Sequence, residues 1–284
     1  MEFLKIKETD REKIDRYLQC DGEISADRCF VSVFVWQNIF GTEYCIEDEM
    51  LYIRFNYDGV YDYAMPVGFG NFKKSLKKIL KEAEQIPMPC KISNISASRV
   101  PEFGGFEIYP ERERFDYVYD SESFIELKGK KLHAKRNFIN RFKADYDKRW
   151  EYRNIDFEND RELVFEFAKD RCDEEEKNAL KSAFEHHKSL ELYGGILFVD
   201  SRVAAYTVAS PQNSEVMDIM FERADVGIKG SSQMIANEFA RNNCRNYKYI
   251  NREEDMGIEG LRKAKLSYCP AFLTEKYEVL CPKR

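Results

Sequence analysis

The stretch that decides the fold is Val216–Arg241, which reads VMDIMFERADVGIKGSSQMIANEFAR. Val216–Phe221 predicts a strand, Gly227–Ser232 a glycine- and serine-rich loop, and Gln233–Arg241 a helix with one apolar face. A helix that starts directly after such a loop presents free backbone N–H groups and the positive end of its dipole. This combination favours binding of pyrophosphate or another anion.

The glycine loop is therefore the candidate cofactor-binding segment, and it lacks the two best-known nucleotide signatures. Its candidate residues are Gly227, Lys229, Gly230, Ser231 and Ser232. Neither a P-loop nor a G-x-G-x-x-G pattern is present. The alternative is a plain turn between strand and helix, with Ser231 or Ser232 as the helix N-cap. The corresponding segment in the first half of the chain is Gly68-Phe69-Gly70.

The elements around this loop predict a fold that occurs twice. A hairpin precedes the strand, and another strand, a helix and a closing strand (Phe272–Leu280) follow it. A shorter version of this order occupies residues 44–119, where the helix Phe72–Ile86 ends at Pro87 and Pro89. We therefore expect an α+β fold, a mixed-sheet α/β arrangement duplicated in tandem, with domains of residues 1–120 and 121–284.

Length and composition support two globular domains. The chain has 284 residues, 43% of them hydrophobic, which excludes wholesale disorder. A net charge of −6 disfavours a generally basic nucleic-acid binder. The N-terminus has no apolar leader, and no stretch approaches the roughly 18 apolar residues that span a bilayer. The eight cysteines are scattered and the three histidines offer no zinc spacing, so we expect a cytoplasmic protein with reduced thiols and no metal.

The net charge of −6 includes two strongly charged segments of opposite sign. Residues 128–149 carry nine Lys/Arg against two Asp, a net +7, and residues 156–176 carry a net −7. The basic block alternates its charges with Phe138, Ile139 and Phe142, which predicts one amphipathic helix over 128–149. This helix is either a solvated face paired with the acidic block or a surface that binds phosphates, such as those of an RNA acceptor stem.

A third feature is the run YINREEDMG at residues 249–257, where a strand end is followed by acidic residues. In one interpretation, Asp255 caps the next helix, and Arg262 and Lys265 lie on the outer face of that helix. In the other, these three side chains and Asn251 surround a cleft at the carboxyl end of the strand. There the carboxylate holds an amine and the cations hold a phosphate or carboxylate.

Two signatures in the chain resemble a known family. The first joins Tyr117–Asp120 to Leu127–Phe142, and the second joins Asn251–Gly257 to Leu261–Pro270. Together they resemble an uncharacterised bacterial family related to the soluble C-terminal domain of phosphatidylglycerol lysyltransferases, over essentially the whole chain. That family is similar to a tandem pair of acetyltransferase-like domains of the GNAT fold, an arrangement that Fem-type aminoacyltransferases share.

The resemblance also bears on the donor and the acceptor. GNAT domains hold coenzyme A with a pattern like [QR]-x-x-G-x-[GA]; here the leading Arg or Gln is missing or displaced, and Ser232 replaces the last small residue. This departure disfavours coenzyme A, which the aminoacyl-tRNA-dependent relatives do not use. The lysyltransferases present lipid through a large membrane domain. No such span is predicted here, so the resemblance does not imply a phosphatidylglycerol acceptor.

We therefore expect an acyltransferase that moves an aminoacyl group from aminoacyl-tRNA to an amine or hydroxyl of a small-molecule, peptide or lipid acceptor. The candidate catalytic carboxylates are Asp255, Glu254 and Asp218, because a positioned acid or base must move the proton. The candidate substrate-binding residues are Lys135, Arg136, Asn137, Asn251, Arg262 and Lys265. Two alternatives remain, an N-acetyltransferase that uses acetyl-CoA and a binding module that has kept the fold without catalysis.

Overall fold

The computed structural model describes residues 1–57, 60–86 and 90–281, and the chain forms two compact units. The first unit comprises Met1–Phe115 and the final segment from Thr274, and the second comprises Asp116–Leu273. The sequence predicted domains of 1–120 and 121–284. In the structure the final segment from Thr274 belongs to the first unit.

The first unit contains a mixed sheet and three α-helices within the described residues. Its strands are β1 (Leu4–Lys5), β2 (Glu43–Glu47), β3 (Met50–Tyr57), β4 (Val60–Ala64), β5 (Val67–Gly68), β6 (Cys90–Ser96), β7 (Ile108–Pro110) and β15 (Lys276–Leu280). Its helices are α1 (Arg11–Leu18), α2 (Phe30–Phe40) and α3 (Phe72–Ala83). The strand order is β1-β2-β3-β4-β6-β15-β7, with β5 beside β3, and β4 and β6 are parallel.

The second unit contains a seven-stranded sheet and seven α-helices within the described residues. Its strands are β8 (Asp116–Asp120), β9 (Trp150–Asn154), β10 (Tyr193–Val199), β11 (Arg202–Pro211), β12 (Val216–Ala224), β13 (Tyr249–Asn251) and β14 (Phe272–Thr274). Its helices are α4 (Ser121–Glu126), α5 (His133–Asp145), α6 (Arg161–Ala168), α7 (Glu174–Glu185), α8 (His187–Leu190), α9 (Ser231–Asn243) and α10 (Glu259–Leu266). The order is β14-β8-β13-β12-β11-β10-β9, with β12 and β13 parallel.

The predicted closing strand is two strands that join different sheets. The single strand expected over Phe272–Leu280 is interrupted at Glu275, so that β14 pairs in the second sheet and β15 lies between β6 and β7 in the first. The buried Lys276 ammonium anchors β15 through an ion pair with Asp27 at 2.6 Å. Because sequence periodicity does not record which sheet a strand enters, this division was not predicted.

The predicted basic helix is shorter than residues 128–149. Helix α5 covers only His133–Asp145, because Gly129 (φ +85°) and Lys148 (φ +57°) both adopt left-handed backbone conformations that an α-helix excludes. Its buried residues Ile139 and Phe142 join the hydrophobic core of the second unit. The amphipathic character predicted for this segment is therefore confirmed over the helical part.

The helix α9 connects the parallel strands β12 and β13 and packs on the sheet. Its inward-facing side chains recur at helical spacing, so Met234, Ile235 and Phe239 are buried in the hydrophobic core of the second unit. No helix among the described residues is long and apolar enough to cross a membrane. The described part of the chain likewise shows no group of three or more His, Cys, Asp or Glu side chains arranged to hold a metal ion.

Candidate active site

The candidate site lies in the second unit, where the parallel strands β12 and β13 stop pairing. They are in register only from Val216 opposite Tyr249 to Asp218 opposite Asn251, and β12 then continues beside β11 alone. A β-bulge shifts the β11–β12 register at Val208 and Ala209, and such bulges bend a strand. The last residues of the parallel pair, Asp218 and Asn251, are both fully buried.

Four carboxylates surround this point and are called the carboxylate cluster below: Asp116, Asp218, Glu253 and Glu254. Asn251 organises part of it, because its side-chain amide donates to Asp116 at 3.3 Å and its amide oxygen accepts from the Glu253 backbone N–H at 2.9 Å. Burying several acidic groups together disfavours their simultaneous ionisation. The cluster therefore concentrates acidic groups at the end of the parallel strand pair.

Glu253 is a member of the cluster with a strongly raised pKa. Burial, followed by repulsion from Asp218 and Glu254, raises the pKa of the Glu253 carboxyl well above its usual value. A carboxyl with a raised pKa is suited to general acid–base chemistry near neutral pH. The carboxylates predicted from the sequence were Asp255, Glu254 and Asp218, and Glu253 was not among them. The run NREED contained the signal, but three consecutive acids have no spacing that shows which one turns inward.

The turn after β13 is held rigidly by backbone pairing and by Lys265. The Arg252 N–H donates to the Tyr117 carbonyl at 3.0 Å, and the Tyr117 N–H donates to the Glu253 carbonyl at 3.2 Å. The buried Lys265 ammonium donates to the carbonyls of residues 252, 253 and 254. Burial and then the Arg252 charge lower the pKa of Lys265 to about 8. Lys265 thus positions the turn that carries Glu253 and Glu254.

Asp255 is fully buried and already accepts several hydrogen bonds. Arg262 binds it through Nε at 2.8 Å and through a terminal nitrogen at 2.9 Å, while Tyr117 donates its hydroxyl at 2.6 Å and Gly257 its N–H at 3.0 Å. Burial opposes ionisation, but the hydrogen bonds from Arg262 and Tyr117 hold the pKa of Asp255 well below its usual range. A carboxylate with so low a pKa is a weak base, so this geometry suits a positioning role for Asp255.

Of the predicted substrate-binding residues in the basic segment, Lys135 faces inward, Arg136 binds backbone carbonyls and Asn137 is exposed. Lys135 lies 4.0 Å from the Tyr268 ring centroid, and burial, then Arg252, lower the pKa of its ammonium to about 8. Arg136 donates to the carbonyls of Leu127 and Gly129, which closes the C-terminus of α4. The exposed Asn137 amide contacts the His133 ring at 3.4 Å.

The outward cations of this segment are a different set, called the basic surface below: Lys128, Lys130, Lys131, Arg141, Lys148 and Arg149. Several of the segment's charges have acidic neighbours outside the −7 block, since Lys143 pairs with Glu238 at 3.2 Å and Arg149 with Asp200 at 2.8 Å. Lys130 and Lys131 lie in the loop before α5, where both are exposed.

Arg252 was not among the site residues predicted from the sequence, and it contacts both an acidic residue and two aromatic rings. Its guanidinium donates to Glu222 at 2.6 Å and lies over the stacked rings of Phe124 and Tyr268. Burial alone would lower the pKa of Arg252, but interactions led by the charge of Glu222 outweigh burial. The pKa of Arg252 is therefore raised, and the guanidinium stays charged. Arg252 therefore supplies a fixed positive charge close to the acidic interior.

The glycine loop before α9 has the shape that its sequence predicts. Gly230 is the N-cap at φ +90°, and a Cβ there would lie 3.0 Å from the Phe138 carbonyl oxygen, so only glycine fits without strain. The Ser231 hydroxyl donates to the Asp225 carbonyl at 2.9 Å, and the Asp225 carboxylate accepts from the Gly227 N–H at 2.8 Å. No side chain caps α9, while Gly227, Lys229 and Ser232 are exposed.

The fold is the tandem GNAT-like arrangement that the sequence predicted. The chain belongs to the family described as "Phosphatidylglycerol lysyltransferase, C-terminal", whose profile matches residues 23–280. The resemblance stated from the two sequence signatures is therefore confirmed.

Solved structures agree with this assignment. A conserved protein of unknown function from Bacteroides thetaiotaomicron is 34% identical, with a TM-score of 0.90 and 98% of each chain covered. L-PGS from Bacillus licheniformis is 14% identical, with a TM-score of 0.65 over 97% of this chain and 93% of that one. A tandem GNAT protein from the clavulanic acid biosynthesis pathway is 8% identical, with a TM-score of 0.61 over 100% and 99%. The last two likenesses show the fold alone.

Proposed function

We propose that the protein transfers an aminoacyl group from an aminoacyl-tRNA to an amine or hydroxyl acceptor at the carboxylate cluster of the second unit. The observation that carries the proposal is Glu253, whose pKa is raised by burial and by the neighbouring charges of Asp218 and Glu254. The family assignment supports acyl transfer as the reaction class. The donor and the acceptor are the new part of the proposal.

The chemistry requires one proton to move while one bond replaces another. The acceptor nitrogen or oxygen attacks the ester carbonyl, and the Glu253 carboxylate takes the proton that the acceptor loses. The ester C–O bond then breaks, and Glu253 returns this proton to the departing ribose hydroxyl. The negative cluster also attracts the α-ammonium group of the aminoacyl ester, which orients the carbonyl for attack.

The basic surface supports an RNA donor. Lys130 and Lys131 are exposed beside α5, and phosphate contacts of this kind dominate the affinity of proteins for nucleic acids. Replacing both by glutamate should weaken the binding of aminoacyl-tRNA and reduce its salt dependence. The matched control is the pair Lys73→Glu and Lys77→Glu on α3, where the lysines are equally exposed and the charge change is identical.

The decisive experiment measures transfer of a radiolabelled amino acid from charged tRNA to candidate acceptors. Glu253→Gln should lower the rate constant about 100-fold with the dissociation constant for tRNA unchanged. Glutamine keeps the shape of the side chain but cannot accept and return the proton during transfer. Glu259→Gln is the control, since Glu259 is exposed at the start of α10. A wild-type rate in Glu253→Gln would contradict the role of Glu253.

A second candidate function is N-acetyl transfer from acetyl-CoA, favoured by the uncapped N-terminus of α9. The loop offers an exposed Lys229 and the dipole of a helix of 13 residues to a pyrophosphate. Calorimetric titration with acetyl-CoA separates the two functions. Micromolar binding that Lys229→Glu abolishes and Lys263→Glu leaves intact, together with no transfer from any charged tRNA, would replace the first proposal by the second.

A further inference from the structure

Two cysteines of the first unit occupy facing positions in its sheet. Cys90 begins β6, Cys281 directly follows β15, and the Cys281 N–H donates to the Cys90 carbonyl at 2.9 Å. The register that pairs Leu280 with Lys91 places Cys281 opposite Cys90. They are therefore a hydrogen-bonded pair of an antiparallel ladder, in which the Cα atoms lie about 5.5 Å apart. This is also the separation most common in disulfides.

The two thiols differ in access and in reactivity. Cys90 is buried, whereas Cys281 is half-buried at the end of the strand. The Cys90 thiol donates to the Lys91 carbonyl at 3.9 Å. The neighbouring Cys90 side chain lowers the pKa of Cys281, whereas the Cys281 side chain and burial raise the pKa of Cys90. Because the thiolate is the nucleophile, Cys281 is suited to react first.

We propose that Cys281 and Cys90 form a redox-active dithiol that a low-molecular-weight disulfide, such as glutathione disulfide, oxidises to an intramolecular disulfide. The Cys281 thiolate attacks one sulfur of the reagent, forming a mixed disulfide and releasing one thiolate. Cys90 then loses its proton and attacks the Cys281 sulfur, which releases the second thiolate. The protein loses two electrons and two protons, and the reagent is reduced to two thiols.

The consequence of this oxidation is a covalent anchor for β15. In the reduced state β15 is held by its ladder hydrogen bonds and by the ion pair of Lys276. The disulfide joins residues 90 and 281, so it closes a very long loop, for which the expected stabilisation is large. The inference is independent of the proposed function, because the pair lies in the first unit and the carboxylate cluster in the second.

The test treats the full chain with glutathione disulfide and maps its thiols by alkylation and peptide mass spectrometry. We expect the wild type to yield a cross-linked peptide pair containing Cys90 and Cys281. Its melting temperature should be about 4 °C or more above that of the reduced protein. Cys90→Ser should instead accumulate a stable glutathione adduct on Cys281, because the resolving thiol is absent.

Cys269→Ser is the matched control, since Cys269 is exposed and belongs to the second unit. This variant should form the Cys90–Cys281 bond as the wild type does. The proposal is overturned if the wild type gives no cross-linked peptide at any glutathione disulfide concentration that modifies Cys269. It is also overturned if Cys90→Ser forms no adduct at Cys281, because Cys281 would then not be the attacking thiol.

Discussion

The two units share a parallel pair of strands joined through a helix, yet they place different charges along it. In the first unit Asp62 of β4 faces Lys91 of β6, and the Lys91 ammonium lies 3.7 Å from Asp62 and 2.7 Å from Glu278. In the second unit the comparable pair is Asp218 and Asn251, which adds no cation. The first pair thus contains a cation within its own register, whereas the second lies in the carboxylate cluster, where Lys265 is a nearby cation.

The helices that follow the two glycine loops differ in how their N-termini are capped. Asn71 caps α3 with its own side chain, which accepts from the Lys74 N–H at 3.0 Å. Helix α9 begins at Gly230 without a side-chain cap. A side-chain cap satisfies an N–H group that would otherwise bind an anion. Both differences support the proposed placement of the chemistry in the second unit.

The largest effect is expected from the ion pair that holds the turn of the second unit. Arg262→Ala leaves the buried Asp255 carboxylate without its main partner, so the free energy of unfolding should fall by about 3 kcal/mol or more. Urea unfolding followed by tryptophan fluorescence measures this change. Lys263→Ala, which removes an exposed pair with Glu259, should change it by less than about 0.5 kcal/mol. Equal losses in the two variants would show that the buried pair has no special weight.

The charge comparison predicts that equivalent aspartates have unequal effects on activity. Asp218→Asn should lower aminoacyl transfer about 100-fold, because the acidic interior loses a charge that tunes Glu253. Asp62→Asn in the first unit should leave transfer at the wild-type level. Steady-state rates of both variants, with folding checked by circular dichroism, measure the difference. Similar losses in both would break the assignment of chemistry to the second unit.

A smaller effect concerns alkaline pH. The folded pKa of Lys135 is lowered to about 8, below the usual 10.5, so folding is penalised wherever the unfolded lysine is protonated. This penalty is greatest below pH 8 and is relieved as pH rises toward 10.5, because the unfolded state then binds more protons. We expect the buried lysine to contribute a gain of about 2 kcal/mol between pH 8 and 10.

Lys135→Met tests this contribution, since methionine keeps the packing against Tyr268 and removes the titration. Urea unfolding between pH 8 and 10 should show a shallower rise of stability in the variant. Lys91 in the first unit is the matched comparison for Lys135. Burial alone would lower the pKa of Lys91, but its acidic partners outweigh burial and raise it. Lys91→Met should therefore not reduce the rise. An identical pH slope in Lys135→Met and the wild type would contradict the buried-lysine argument.

The smallest effect concerns the helix caps. Asn71→Ala should cost about 1 kcal/mol, because the N-terminus of α3 loses its side-chain acceptor. Ser232→Ala, at the exposed start of α9, should be close to neutral. Thermal unfolding of both variants measures the contrast. A comparable loss in Ser232→Ala would indicate a capping role for Ser232 in solution, and α9 would then be less available to an anion.

Much of the fold was predictable, and the candidate site only in part. The glycine loop was recognised because Gly230 needs a positive φ and tolerates no Cβ, a requirement that leaves a mark in the sequence. The inward direction of Lys135 left no such mark, because a lysine on an amphipathic helix is normally solvated. Glu253 was missed for a related reason, since its backbone turns at φ +52° where the neighbouring acids give no period.

The sequence by itself determined the order of strands, loops and helices, the family, and the tandem GNAT-like fold. These properties depend on periodicity and on turn residues, which act over a few neighbours along the chain. Only the tertiary structure decided that the last strand returns to the first sheet. It also decided that hydrogen bonds outweigh burial and lower the pKa of Asp255, whereas burial raises the pKa of Glu253. These outcomes depend on burial and on charges brought together from distant parts of the chain, and those interactions set the pKa values.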